Sequence, residues 1–482
     1  MIESIKVVAA EEMARIEKGE KWHEQFMATA GRKVAEAAIE FAAAQKLLKK
    51  ATLLVGKGNN GGDAYVAGIH LLEAGFQVHV IPVSGECTPL NQKFGEQFRK
   101  KQGRIGGEIE GLVIDGLLGT GFKGRVSEDV AHLIEQANGS GLPIIAIDIP
   151  SGLHGTTGKV DSVAIRAVET IALGLPKMGF FLREGWNHVG KLRIVDFGLS
   201  KEAVAGAQAM AYLPLRLELP RVVRNRHKYQ AGYVVGFGGS KALPGAIKLS
   251  GLAALKAGAG IVRIFHPEPI GEVPFELICN DWDLENWQEA LKKAQAVFVG
   301  PGLGRSEERL RWLKTHLKGI QQPIVIDADA LLPNLTFPKN AILTPHRGEV
   351  LRLLGLKAAP EEEELFVKIG QFCDKKEVIV VLKGAPTFIF TPRSKPLLIL
   401  RGDPGMATAG AGDVLTGIIA ALLAQGGSAE EAAVLGATLH GIAGEEAAKE
   451  KTSYCLMASD LIAFLPAAFR QTLRDKLRGN YS

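Results

Sequence analysis

Acids set among glycines at the ends of apolar runs are the residues of this 482-residue chain whose types and spacing could do chemistry. Residues 402–424 read GDPGMATAGAGDVLTGIIAALLA, small residues and glycines leading to Asp413 and then a clean apolar helix. The free N–H groups of Ala411, Gly412 and Asp413 would sit at the positive end of that helix, ready for a transferring phosphoryl group. The Asp413 carboxylate could accept a proton from an attacking hydroxyl. A helix cap is the alternative, since aspartate is a favoured capping residue. In the first half, GKGNNGGDAYVAG (56–68) sets Asn59, Asn60, Gly61, Gly62 and Asp63 at a strand-to-helix turn. Backbone N–H groups there suit an anion, above all phosphate. The GK[ST] ending of a P-loop is absent, and polar Asn59, Asn60 and Asp63 occupy the turn, unlike a dinucleotide-fold GxGxxG. The alternative is a tight turn with Asp63 capping the helix. IDGLLGTGFKGR (114–125) places Asp115 at a strand's carboxyl end before a glycine loop with Lys123 and Arg125, and AIDIPSG (146–152) repeats the idea with Asp148 and Ser151. Ligands of open parallel sheets bind outside the carboxyl ends of the strands, so these three loops should meet at one rim.

The elements that must position these loops follow from the apolar pattern. Strands are predicted at 52–55, 78–82, 112–115, 144–148, 170–173 and 192–195, with helices at 10–17, 23–45, 64–74 and 126–137. The runs are apolar on both faces, as central strands of a parallel sheet are. This is an α/β pattern of three layers. Around 201–229 it lapses into LPLRLELPRVVRNRHKYQ, with two prolines and a basic run, which marks a domain junction. A second α/β series follows at 233–237, 261–265, 296–299, 324–327, 341–343 and 378–382, and helices dominate from 411 to about 465. The expected domains are 1–211 and 212–482. Asp327 and Asp329 are taken as strand-end caps outside the site, and the run 221–228 as a solvated linker.

The length of 482 residues suggests two or three domains, and the composition is ordinary for a soluble globular protein. Glycine is the outlier, at 57 residues clustered in short loops after apolar runs, where a backbone can come close to a ligand. A net charge of +5 without a basic stripe interleaved with aromatics argues against nucleic acid. Cys87, Cys279, Cys373 and Cys455 form no CxxC pair and read as free thiols of a reducing compartment. The start lacks the features of a signal peptide and no apolar run reaches membrane-spanning length, so no membrane partner and a cytoplasmic location are expected. The sequence leaves open whether identical chains assemble.

GKGNNGGD, DGLLGTGFKGR and AIDIPSG, in this order and spacing, resemble the NAD(P)H-hydrate epimerase family, the YjeF N-terminal domain, over roughly residues 1–210. The resemblance implies a Rossmann-like sheet on which Asn59, Asn60, Gly61, Gly62 and Asp63, with Gly119, Thr120, Gly121, Phe122, Lys123, Gly124 and Arg125, line the dinucleotide site. It implies that Asp148 contacts the altered nicotinamide ring, and that Asn60, Asp115 and Ser151 hold a potassium ion. Inversion at the hydroxyl-bearing C6 needs a proton-transfer group, for which Asp148 is the first choice and Lys123 the second. In the second half, GAGD before a helix resembles the ribokinase-like superfamily. VVGFGGS, ALKAGAG, VGPGLGR, VIDADAL, LTPHRGE and VLKGAPT narrow the likeness to ADP- or ATP-dependent NAD(P)H-hydrate dehydratases, the YjeF C-terminal domain, over roughly 212–482. This implies a ribokinase-like sheet, with Gly302, His346 and Asp413 at the hydrated dinucleotide. Lys383, Gly384, Ala385, Pro386, Thr387 and Gly412 would bind ADP or ATP with Mg²⁺, ADP being the expected donor. His346 could instead be a satisfied turn histidine. The family reading is epimerisation of the R and S forms of hydrated NADH and NADPH, with dehydration of the S form. Two rivals remain: a ribokinase-like salvage kinase that leaves a stable phosphate ester, and a non-catalytic nucleotide-binding protein.

Overall fold

A computed structural model of the chain describes residues 2–282 and 284–478. It divides into two compact units, one spanning Ile5–Ala211 and the other beginning at Tyr212 and including the residues before Ile5. The sheet of the first unit is parallel throughout, in the order Arg104–Ile105, Gln77–Pro82, Lys50–Val55, Leu112–Gly116, Ile144–Ile147, Glu169–Leu173 and Lys191–Val195. Leu112–Gly116, Ile144–Ile147 and Glu169–Leu173 are buried along their whole length, which is why their sequences run apolar instead of alternating. After Lys50–Val55 the chain builds outward on one side through Gln77–Pro82 and Arg104–Ile105, then starts again on the other side with Leu112–Gly116. That reversal opens a crevice at the strands' carboxyl ends, the usual place for a ligand in such a sheet.

The helix after Lys50–Val55 runs Asn59–Glu73, beginning five residues earlier than the sequence suggested. Asn60–Asp63 therefore belong to the helix and not to a preceding turn, and Gly58 is its cap with no side-chain capping bond. The turn reading failed because Gly61 and Gly62 are there for packing. A methyl at Gly61 would lie 2.2 Å from the Gly56 carbonyl oxygen, and one at Gly62 would lie 2.4 Å from Met27 Sδ. Gly31 of the helix His23–Ala44 meets the same helix, since its methyl would lie 2.6 Å from the Asp63 carbonyl oxygen.

In the second unit the parallel strands lie in the order Ile278–Asp281, Ile261–His266, Tyr233–Phe237, Ala296–Val299, Ile324–Ile326, Ile342–Leu343 and Ile379–Leu382. Here the direction of building reverses between Tyr233–Phe237 and Ala296–Val299. Antiparallel Thr387–Phe390 and Leu397–Ile399 extend the edge, and Tyr212 of the strand Ala209–Pro214 pairs with Leu397. The sequence did not suggest these strands, because short runs broken by prolines and charges carry little period. The supposed lapse also holds a helix, Lys201–Gly206. Ala411–Ala424 is buried nearly all round, as an apolar helix must be, and Gly417 brings it against Pro244–Lys256 so closely that a methyl would lie 2.0 Å from the Ser250 carbonyl oxygen. The last helix, Ala458–Arg478, runs past the expected end. Among the described residues, no helix is long and apolar enough to cross a membrane.

Candidate active sites

The crevice of the first unit is a cleft of about 820 Å³. Asn59 and Asn60 at a helix start, and Gly119, Thr120, Gly121, Phe122, Lys123 and Arg125 on the facing loop, all line it. Lys57 and His23 line it as well, and neither was singled out in the sequence. Of the other residues placed there by resemblance, Gly61, Gly62, Asp63 and Gly124 are not among its lining. Lys123 reaches Glu11 across 3.1 Å.

Beneath the cleft, Asn60, Asp115 and Ser151 come together. Asn60 Nδ2 donates to the carbonyls of Leu118 (2.7 Å) and Ile147 (3.2 Å), which leaves its amide oxygen free of those bonds. Asp115 Oδ1 accepts from Ser151 Oγ (2.6 Å) and the Leu117 N–H (3.2 Å), and Oδ2 from the Ser151 N–H (2.8 Å). The Leu118 N–H donates to Ser151 Oγ at 2.9 Å. Burial pushes the Asp115 carboxyl up to about 6 against these bonds, and no lysine or arginine among the described residues pairs with it. A buried acid in an oxygen-lined pocket has the chemistry to hold a large monovalent cation, which would supply the missing positive charge.

Asp148 lies deeper. It is 4% exposed, takes a left-handed backbone (φ 63°), and does not line the cleft. The ammonium of Lys177, itself fully buried, contacts Asp148 Oδ1, where the Leu173 N–H also donates at 3.1 Å; Lys177 donates further to the Leu173 carbonyl at 2.8 Å. Two more acids belong to this group. Burial first, then the charges of Glu17 and Asp148, hold Asp63 well above the usual carboxylate range. Glu17 on the helix Ala10–Gly19 is raised to about 7 by burial and by Asp148, with Lys177 opposing. Asp63 is therefore no cap. Sequence reasoning missed Glu17 and Lys177. Nothing distinguishes Glu17 from a solvated helix residue, but a lysine inside LGLPKMGFF should have flagged a buried charge.

In the second unit, Asp413 is the third residue of Ala411–Ala424, whose cap is Gly410 in the left-handed region (φ 90°) with no side-chain capping bond. The capping alternative for Asp413 is thereby removed. Burial raises the Asp413 carboxyl to about 7, Asp327, Glu349 and Asp329 adding to it and Lys383 opposing. Asp327, set aside as a strand-end cap, is instead at the centre. It is 1% exposed, accepts from Lys383 Nζ on Oδ1 (2.9 Å) and from Thr416 Oγ on Oδ2 (2.8 Å), and so joins the end of the strand Ile324–Ile326 to the helix that carries Asp413. Asp329 fastens the neighbouring loop, accepting from the Gly304 N–H at 2.8 Å and pairing with Arg305 at 3.0 Å.

Burial works against the Lys383 ammonium, but Asp327 and Glu349 outweigh it and raise its pKa above the ordinary lysine value. Its Nζ is 3.8 Å from Glu349, and a methyl at Gly412 would lie 3.0 Å from it, so the cation stands over the helix start. Gly384, Ala385 and Pro386 follow in the turn before Thr387–Phe390, and Thr387 Oγ donates back to the Gly384 carbonyl at 3.1 Å. His346 caps the helix Arg347–Leu353: its Nδ1 accepts from the Gly348 N–H at 3.0 Å while Glu349 accepts from the His346 N–H at 2.9 Å. Gly302 (φ 60°) sits at the reversal, where a methyl would lie 2.4 Å from the Leu243 carbonyl oxygen. His440, also missed, is held neutral by burial at a pKa of about 4, and its Nε2 donates to the Ala411 carbonyl at 2.9 Å.

Each unit thus presents a buried carboxyl titrating near neutrality at a reversal of a parallel sheet, a setting suited to proton transfer on a bound anion. Comparison with known proteins gives two family matches. The model described as YjeF-related protein N-terminus covers residues 23–179, and the one described as NAD(P)H-hydrate dehydratase covers residues 234–467. A bifunctional NAD(P)H-hydrate repair enzyme of Moorella thermoacetica is 35% identical over 92% of each chain. One from Escherichia coli is 33% identical over 88% of this chain and 86% of its own. Among solved structures, an ADP/ATP-dependent NAD(P)H-hydrate dehydratase from Bacillus subtilis, co-crystallised with ATP and Mg²⁺, is 28% identical over 53% of this chain and 94% of its own, with a TM-score of 0.48.

Proposed function

The chain belongs to the family of bifunctional NAD(P)H-hydrate repair enzymes, and on that premise we propose that its two units share one repair task. The first (1–211) interconverts the R and S forms of hydrated NADH and NADPH. The second (212–482) dehydrates the S form at the expense of ADP or ATP. The observation that carries the reading is Asp413, an uncapping carboxylate raised to about 7 at a glycine-opened helix start, with the Lys383 ammonium beside it.

In the second unit, Asp413 takes the proton of the C6 hydroxyl as that oxygen attacks the terminal phosphorus of the nucleotide, and the bond to the nucleotide's bridging oxygen breaks. The N–H groups of Gly412 and Asp413 and the Lys383 ammonium hold the charge on the transferring phosphoryl group, whereas the Ala411 N–H, expected to be free, donates to the Thr408 carbonyl at 3.4 Å. The C6–O bond then breaks with phosphate as leaving group, and loss of a C5 proton restores the ring double bond. The carboxylate of Glu349, near enough to act on Asp413, would offer Mg²⁺ a hard oxygen, and the ion would neutralise the nucleotide phosphates when bound, leaving Asp413 free to take the proton. In the first unit, Asn60, Asp115 and Ser151 would hold K⁺, setting a positive charge beside the dinucleotide's phosphates. The absence of membrane-length helices among the described residues and the free thiols support a cytoplasmic setting.

Asp115→Asn tests the division of labour. Epimerisation should fall by at least about tenfold and lose its response to K⁺, while dehydration of the pure S form continues. Equal loss of both activities in a folded variant would argue against separate sites.

A further inference from the structure

The carboxyl nearest the cleft in the first unit is not Asp148. Glu17 lines the cleft, whereas Asp148 and Lys177 lie below it, committed to each other. The helix Ala10–Gly19 is fixed over the ends of the strands Ile144–Ile147 and Glu169–Leu173. The Val8 N–H donates to the Pro176 carbonyl at 3.0 Å, and the Ala10 N–H to Thr156 Oγ at 2.9 Å. Buried Met13 packs so near Gly174 that a methyl there would lie 2.8 Å from Met13 Cε. Glu17 is one turn further along, on the same face as Met13, so this anchoring aims its side chain at the cleft floor.

We propose that Glu17 is the group that exchanges the proton of the substrate's C6 hydroxyl, and that the Asp148–Lys177 pair is the positioning element that sets its charge. The proposal rests on the epimerase reading of this unit. The charged groups around Glu17 are Asp63 and Asp148 from neighbouring elements, Lys177 beneath, and Lys18, Lys57, Lys123 and Arg125 on the cleft wall, with His23 at the start of the next helix. Burial and Asp148 hold the Glu17 carboxyl at about 7, so both its forms are present at neutral pH and it can give as readily as take.

The chemistry balances with this one shuttle. The hydrated ring carries its hydroxyl on a carbon bonded to the ring nitrogen. Glu17 carboxylate takes the hydroxyl proton, the O–H electron pair becomes the second C–O bond, and the C6–N1 bond breaks with its pair left on nitrogen. Glu17 then delivers the same proton to that nitrogen. The freed aldehyde rotates, and the reverse steps close the ring with C6 inverted. No atom is lost, and nothing is oxidised or reduced.

The test uses the full chain without ADP or ATP, so that dehydration is idle, and starts from a single epimer of hydrated NADH whose conversion is followed by chromatography. Glu17→Gln should slow conversion by at least about a hundredfold, with melting temperature and separately assayed dehydration unchanged. Asp148→Asn removes a like charge and leaves Lys177, so the midpoint of the pH–rate profile should move down from near 7. Conversion by Glu17→Gln at the wild-type rate, or an unmoved midpoint in Asp148→Asn, overturns the proposal while leaving the epimerase reading intact. No conversion by the wild-type chain overturns both. Should Glu17→Gln lose its melting transition, Glu17→Asp decides: a folded variant at least about tenfold slower supports the shuttle, and one at the wild-type rate refutes it.

Discussion

A carboxylate that titrates near neutrality inside a protein carries a sign that can be measured twice. The Asp413 carboxyl stands at about 7 in the folded chain against an ordinary value of 3.8, chiefly because it is buried. As a base it acts in its charged form, so dehydratase kcat/KM should climb as pH rises through about 7. Stability runs the other way. With the folded value raised above the unfolded one, the contribution of Asp413 is fully present below about pH 4 and is lost as pH rises through about 7. Asp413→Asn should therefore cut turnover by at least about a hundredfold, yet melt no lower than wild type at pH 4 and higher at pH 8. Near-normal turnover would remove Asp413 from catalysis. A variant that melts lower at both pH values would show a supporting role instead. Asp413 was legible in the sequence because small residues before an apolar helix leave one acid exposed to explanation. Asp327 was not: its position at a strand end looks like a cap until Lys383 and Thr416, 56 and 89 residues away in the chain, are seen to meet it.

Elements were read well where the period was strong and poorly where glycine had more than one use. The predicted parallel strands fell within a residue or two of their observed ends, since continuous apolar runs have few other readings, but the partly exposed Arg104–Ile105 and Ile278–Asp281 were not foreseen. The loop at 56–63 was misplaced because glycines in a helix that is crowded on two sides look, in sequence, like glycines of a turn. The contact of His23–Ala44 with Asn59–Glu73 gives that distinction a measurable consequence. Gly31→Ala would set a methyl 2.4 Å from Val66 Cβ and 2.6 Å from the backbone of Asp63, where no side-chain rotation can relieve it. The helices must part, at a cost of about 1–3 kcal/mol. Epimerisation should suffer with it, because the second helix carries Asn59 and Asn60 into the cleft. A melting temperature and epimerase rate equal to wild type would show that the helices have slack there.

At the scale of the molecule, each unit has its own core and its own site, and the segment 221–229, early in the second unit, is exposed at Val222, Val223 and Tyr229. Limited proteolysis should cut within 221–229 and leave two folded fragments, the larger still dehydrating the S form; resistance throughout that segment would count against independent folding. The compact units divide at Ala211–Tyr212, ahead of the prolines and basic run that drew attention in the sequence. The acid group around Lys177 was not legible there, because it is assembled from four segments that share no motif. Together the two sites restore reduced nicotinamide dinucleotide from its hydrates. Purified protein supplied with a mixture of R and S hydrated NADH, ADP, Mg²⁺ and K⁺ should return the near-ultraviolet absorbance of NADH in full, releasing one phosphate for each NADH formed. Recovery limited to the S fraction would contradict epimerisation, and a stable phosphate ester with no return of absorbance would contradict repair and establish a kinase.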